Sequence, residues 1–204
     1  MKRTLIFCLA ALTTVATSCA THPSKTTIPA CCCSAVAPAD YTDKSVYQLD
    51  STWTSDADKK VHLGVLRGKP QVVAMFFASC QFTCPLTVND MKNVEAALPE
   101  TLRTNVGFTL ISFDSKRDTS AALHTYRVKR ELSAPTWTLL RGEPDNVREL
   151  AALLGVVYKE DANGDFAHSN LITVLNGEGE IIFQQPGVNI DPKEIVSRIE
   201  QMTN

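Results

Sequence analysis

Apolar residues along this chain gather in two kinds of run. Gln71–Phe77 (QVVAMFF), Phe108–Phe113 (FTLISF), Trp137–Leu140 and Leu171–Leu175 are short, nearly continuous hydrophobic stretches, the pattern of buried strands. Between the first two, Val88, Met91, Val94 and Leu98 recur at helical spacing and predict one buried stripe on a helix from Cys84 to Leu98. That spacing makes Met91 a core residue rather than a thioether ligand. Asp118-Thr119 can cap a helix reaching about Leu132. Pro144 opens another helix that ends near Gly155, with proline at its start and glycine at its end. Ile181–Gln184 follows Leu171–Leu175 across Gly177-Glu178-Gly179 as a terminal hairpin, and Asp191-Pro192-Lys193-Glu194 starts a last helix. Upstream, Val46–Leu49 and Val61–Leu63 read as the strands of a hairpin. The order is a hairpin, then βαβαβα, then ββα, which predicts an α/β sandwich. No internal repeat is visible.

Composition leaves this picture intact. The chain has 204 residues, 44% hydrophobic and 21% charged, enough apolar material for one core of ordinary size. A formal net charge of −2 gives no sign of a nucleic-acid partner. The N-terminus differs from the rest. Met1-Lys2-Arg3 followed by Thr4–Leu12 is a basic segment and a short apolar one, too short for a membrane span, and reads as an export signal. Val15-Ala16-Thr17-Ser18-Cys19 resembles a bacterial lipobox, with Cys19 as the lipidated residue, although Ala16 stands where leucine is usual; an ordinary signal-peptidase cut nearby is the alternative. The expected organisation is therefore an export signal over 1–19, a flexible Thr/Pro/Ala/Ser tether over 20–40 and one folded domain over 41–204. The expected location is across the bacterial inner membrane, as a lipoprotein facing the periplasm.

Within that frame the chemistry concentrates at Met75-Phe76-Phe77-Ala78-Ser79-Cys80-Gln81-Phe82-Thr83-Cys84-Pro85. Two thiols spaced C-x-x-x-C stand where a buried strand gives way to a helix, and the unpaired N–H groups of a helix N-terminus favour thiolate. Residues four apart on a helical face lie roughly 6 Å apart, which suits chelation of one ion and sits near the limit of disulfide reach. A third ligand has to come from elsewhere, and the histidines are the candidates. His168 follows Asn163-Gly164-Asp165-Phe166-Ala167 in a polar loop that enters Leu171–Leu175. In a thioredoxin-like sheet this loop lies beside the dithiol, where thioredoxins carry a cis-proline and this chain has His168-Ser169. His124 falls in a helical stretch, His62 in a strand and His22 near the leader, with no stated reason for any of them to meet the thiols.

Those segments carry a resemblance. The C-x-x-x-C-P motif, Ile111-Ser112-Phe113-Asp114-Ser115-Lys116-Arg117-Asp118-Thr119 and Phe166-Ala167-His168-Ser169 occur in the order seen in the Sco (SenC) family, and the chain is similar to that family from about Tyr41 onward. Gln81 and Ser115 stand where the family more often has proline. The resemblance implies a membrane-tethered copper carrier with a thioredoxin-like fold and an N-terminal β-hairpin. Its copper ion would be held by Cys80, Cys84 and His168, and its client would be the copper-bearing subunit of cytochrome c oxidase or another copper client. A thiol reductase is a further expected partner, and a Cys80–Cys84 disulfide is the alternative state of the pair.

Donor chemistry points the same way. Two thiolates and one imidazole with no fourth strong ligand suit copper better than structural zinc, which prefers four closed positions, and an open side suits release. The main alternative is an exported thiol:disulfide oxidoreductase, favoured by Leu66-Arg67-Gly68-Lys69-Pro70 ahead of the central strand and opposed by the C-x-x-x-C spacing and the missing cis-proline. A peroxidase needs Thr and Pro upstream of its cysteine, whereas Pro85 follows the second one. Asp114 and Asp118 flank a strand end near the expected place of the dithiol, and either is a candidate to orient His168 or to receive a partner's basic groups, with helix capping the favoured reading of Asp118. Glu160–Asp165 has calcium-loop flavour without the required spacing. Cys31-Cys32-Cys33 reads equally as an auxiliary copper-collecting cluster or as an inert feature of the tether.

Overall fold

A computed structural model describes residues 40–162 and 164–203. The readings placed on Cys19, His22 and Cys31–Cys33 lie outside the described residues. Among those described, no helix is long and apolar enough to cross a membrane.

Seven strands form one sheet, and each of the four long apolar runs supplies a strand. β1 (Thr52–Ser55) and β2 (Lys60–His62) are a hairpin, followed by β3 (Gln71–Phe76), β4 (Gly107–Ser112) and β5 (Trp137–Gly142). A separate two-stranded ribbon, β6 (Tyr158–Glu160) and β7 (Phe166–His168), precedes β8 (Leu171–Leu175) and β9 (Ile181–Pro186). The order across the main sheet is β2-β1-β5-β4-β3-β8-β9. β3, β4 and β5 run parallel, and β8 and β9 complete the sheet in antiparallel fashion. Every residue of β3 and β4 is buried, as expected for central strands covered on both faces.

The helices are α1 (Thr83–Ala97), the single turn α2 (Glu100–Arg103), α3 (Ser120–Arg130), α4 (Pro144–Leu154) and α5 (Lys193–Thr203). α1 packs on β3, β8 and α5, while α3 and α4 pack against β5. Its predicted stripe is in the core: Val88 and Leu98 are 1% exposed and Met91 and Val94 are 0% exposed. Asp90, buried on the same helix, accepts a hydrogen bond from the Asn189 N–H at 2.8 Å and so ties down the segment leading to α5. The architecture is thioredoxin-like, with the N-terminal hairpin added at the β5 edge.

The hairpin itself corrects the sequence reading. Val46–Gln48 is a 3₁₀ turn rather than a strand: the N–H groups of Gln48 and Leu49 return to the carbonyls of Ser45 and Val46, each at 3.4 Å, instead of pairing with a neighbouring strand. The Ser45 hydroxyl accepts the Tyr47 N–H and closes that turn. The true partner of β2 is β1, whose fully buried Trp53 sits opposite Val61 on one side and Gly142 on the other. A Cβ at Gly142 would meet the indole ring at 2.7 Å, so glycine there is what lets the hairpin close onto the sheet.

Candidate metal centre

The chain leaves the sheet at Phe76 and turns through Phe77–Ser79, with the Cys80 N–H returning to the Phe77 carbonyl at 3.2 Å. Cys80 lies before α1 rather than on it, and Cys84 is in its first turn, so the two thiols do not share a helical face as the spacing implied. The N-cap position, Phe82, offers no side-chain acceptor. Cys80 Sγ supplies one instead, accepting the Cys84 N–H at 3.4 Å.

This arrangement makes the thiols unequal. Burial pushes the Cys80 thiol up, but hydrogen bonds from the backbone N–H groups of Cys84, Phe82 and Thr83 outweigh it, and its pKa falls below the ordinary thiol value. Burial pushes the Cys84 thiol strongly up, and its neighbour Cys80 adds to the rise. The Cys80 thiolate therefore persists to lower pH than an ordinary cysteine, while Cys84 stays protonated in the metal-free protein. With limiting iodoacetamide near neutral pH, peptide mapping is expected to find Cys80 alkylated well before Cys84. Equal labelling of the two would contradict the geometry.

His168 arrives from the ribbon. The sequence reading put His168 in a polar loop from Asn163, but Phe166–His168 is a strand paired with Tyr158–Glu160, with Tyr158 opposite His168. Phe166 and His168, two apart on β7, share a face, and both pack on Phe113 with centroid separations of 5.2 Å each. Phe77 meets the imidazole edge-on at 5.9 Å. The ring Nδ1 lies 3.2 Å from the Ser169 carbonyl, which only accepts, so Nδ1 carries the proton and the Nε2 lone pair is presented to the thiols. Nε2 is 3.6 Å from Cys84 Sγ and 3.2 Å from Thr83 Oγ1. The ligand atoms of Cys80, Cys84 and His168 all lie within 4.8 Å of one another.

The remaining candidates are placed differently. His62 ends β2, and His124 is exposed on α3, 3.7 Å from an Asp56 oxygen; neither joins the group. The carboxylate of Asp114 pairs with the Arg117 side chain and accepts the Arg117 N–H at 3.1 Å. Its influence on the site runs through Arg117, whose guanidinium lies over Phe77 and Phe166 at 5.8 and 5.7 Å. Asp118 is no cap, since Thr119 caps α3 by accepting the Ala122 N–H. Asp118 is instead 2% exposed and turned toward the dithiol loop. In the Glu160–Asp165 segment, Glu160 pairs with Lys116 and an Asp161 carboxylate oxygen accepts the Asp165 N–H. Sequence reasoning missed Thr83, Arg117 and the aromatic bed of Phe77, Phe113 and Phe166; the one legible signal was Phe166 two residues from His168.

A thioredoxin-like sheet whose strand-to-helix dithiol meets an imidazole from a neighbouring β-ribbon defines a class of thiol proteins able to hold a soft metal ion. The sequence model of SCO1/SenC matches residues 39–204, and the chain belongs to that family. It is 24% identical over 128 residues to a Stutzerimonas stutzeri protein named "Putative copper-binding protein", a match spanning 61% of each chain. Its fold is similar to Arabidopsis thaliana ScoI solved with copper bound, at 22% identity and TM-score 0.66, covering 74% of this chain and 96% of that one. It is also similar to BsSco, a member of the Sco family of cytochrome c oxidase assembly proteins, at 20% identity and TM-score 0.64, covering 74% and 90% respectively.

Proposed function

We propose that this protein is a copper carrier that binds one ion through Cys80, Cys84 and His168 and passes it to the copper site of a respiratory cytochrome c oxidase. The observation that carries this reading is the convergence of two thiol sulfurs and one imidazole nitrogen within 4.8 Å at the end of β3. Two atoms sharing an ion at about 2 Å each stand at most about 4 Å apart, and the 3.6 Å separation of Cys84 Sγ and His168 Nε2 is already in that range. The donor set is soft, and three ligands leave a side open for exchange with an incoming thiolate. Copper is cargo here, and binding it displaces the proton of Cys84. A lipid on Cys19 would hold the domain at the outer face of the inner membrane, and an exported thiol reductase would keep the pair reduced.

The competing reading, a thiol:disulfide oxidoreductase, draws support from the unequal thiols, a readily ionised Cys80 backed by the more deeply buried Cys84. One pair of measurements separates them. Reduced protein is expected to bind one copper per chain and to reduce insulin far more slowly than a thioredoxin does. Thioredoxin-like turnover without stoichiometric copper would reverse the order of the two readings.

A further inference from the structure

Where the chain leaves β3 the parallel ladder stops at the Phe76–Ser112 pairing, and the N–H of Ala78 has no strand to bond to. It donates instead to Asp118 Oδ2 at 2.9 Å, and the same oxygen accepts the Ser112 hydroxyl at 2.5 Å. The backbone of Asp118 is itself fixed on both sides: its N–H donates to the Asp114 carbonyl at 3.1 Å, and its carbonyl accepts Arg141 Nε at 2.8 Å. One buried oxygen thus joins the end of β4 to the segment that delivers Cys80.

We infer that Asp118 is a positioning residue for the metal centre, its Oδ2 holding the Ala78–Cys80 turn so that the Cys80 sulfur faces the α1 N-terminus, Cys84 and His168. The inference deepens the copper-carrier reading and rests on it for the identity of the ion. Ala78 is two residues from Cys80 and the turn is short, so a shift of the Ala78 N–H carries over to Sγ, which depends on alignment with the Cys84 N–H at 3.4 Å. What matters is an acceptor at the place of Oδ2, not the charge. Asparagine can put its carbonyl oxygen there. Glutamate keeps the charge but is one methylene too long for a site that is 2% exposed.

Two substitutions separate position from charge, measured in the full chain with circular dichroism to confirm folding. Asp118→Asn is expected to keep Cu(I) affinity, by chelator competition, and the Cys80 iodoacetamide rate of the metal-free protein within about threefold of wild type. Asp118→Glu is expected to lose about 10 to 100-fold in Cu(I) affinity, the range for outer-shell partners of metal ligands, and to slow Cys80 alkylation. Asp118→Ala, which removes the acceptor without adding volume, should follow glutamate. Wild-type behaviour of the Glu and Ala variants, or a loss in Asn as large as in Glu, would overturn the inference. If wild-type protein takes up no copper, the copper-carrier reading fails, and the metal-free Cys80 rates still decide the role of Asp118.

Discussion

Replacing Cys80 and Cys84 together by serine is expected to abolish stoichiometric copper binding and, on the Cu(II) form, the sulfur-to-copper charge-transfer absorption. The reason lies in ligand softness: a serine hydroxyl is hard and protonated at neutral pH, so the ion would keep only the imidazole of His168. Apparent affinity should fall by well over about 100-fold, more than loss of an outer-shell partner costs. Because Cys84 is 1% exposed and Cys80 9%, the single variants should also differ in stability, with Cys84→Ser the more destabilised of the two. Circular dichroism and a urea midpoint control for that. Copper retained at one ion per chain by the double variant would remove the dithiol from the site.

The second large effect is expected at His168. His168→Ala should weaken Cu(I) retention by at least about 10 to 100-fold in competition with a chelator, because loss of a direct ligand costs no less than loss of an outer-shell partner. The fold should survive, since the imidazole is half-buried at the end of a three-residue strand and its removal leaves the aromatic contacts of Phe113 with Phe77, Tyr158 and Phe166 in place. His62→Ala and His124→Ala serve as controls, both side chains lying outside the ligand group. Equal losses at His124 and His168, or no loss at His168, would show that the third ligand is another residue.

The pairing of His168 with the dithiol also explains why the metal-free site is poised rather than collapsed. The Nδ1–H bond to the Ser169 carbonyl selects one tautomer, and the Thr83 hydroxyl donates to Nε2, so the imidazole is aimed before any ion arrives. Orienting a ligand in advance lowers the ordering cost of binding, and the aromatic bed under the guanidinium of Arg117 limits the ring's alternatives.

Much of this protein is legible along the chain because its periods are local. Continuous apolar runs mark β3, β4 and β8 since both faces of a central strand are covered, and the Val88, Met91, Val94, Leu98 stripe marks α1 since a helix buries one side. The spacing of Cys80 and Cys84 at a strand-to-helix junction identifies the chemistry, because thiol pairs at such junctions meet unpaired N–H groups whatever the rest of the chain does. Tertiary structure decided what these local rules do not reach. Val46–Gln48 turns instead of extending because Ser45 closes the turn with its hydroxyl and carbonyl, while the Val46 N–H is taken by the carbonyl of Gly179, far away in sequence. Tyr158–Glu160 and Phe166–His168 pair as strands, despite the polar residues between them, because Tyr158 and Phe166 find Phe113 to pack on. Asp118 carries the motif of a cap, yet it is buried beneath the dithiol loop, since the neighbouring Thr119 takes the capping role and the Ala78 N–H, 40 residues away in sequence, needs an acceptor. The chain alone thus names the two thiols and the strand that presents them. The imidazole's orientation, the inequality of the thiols and the carboxylate that holds their loop arise from contacts between segments far apart in sequence, which no local period encodes.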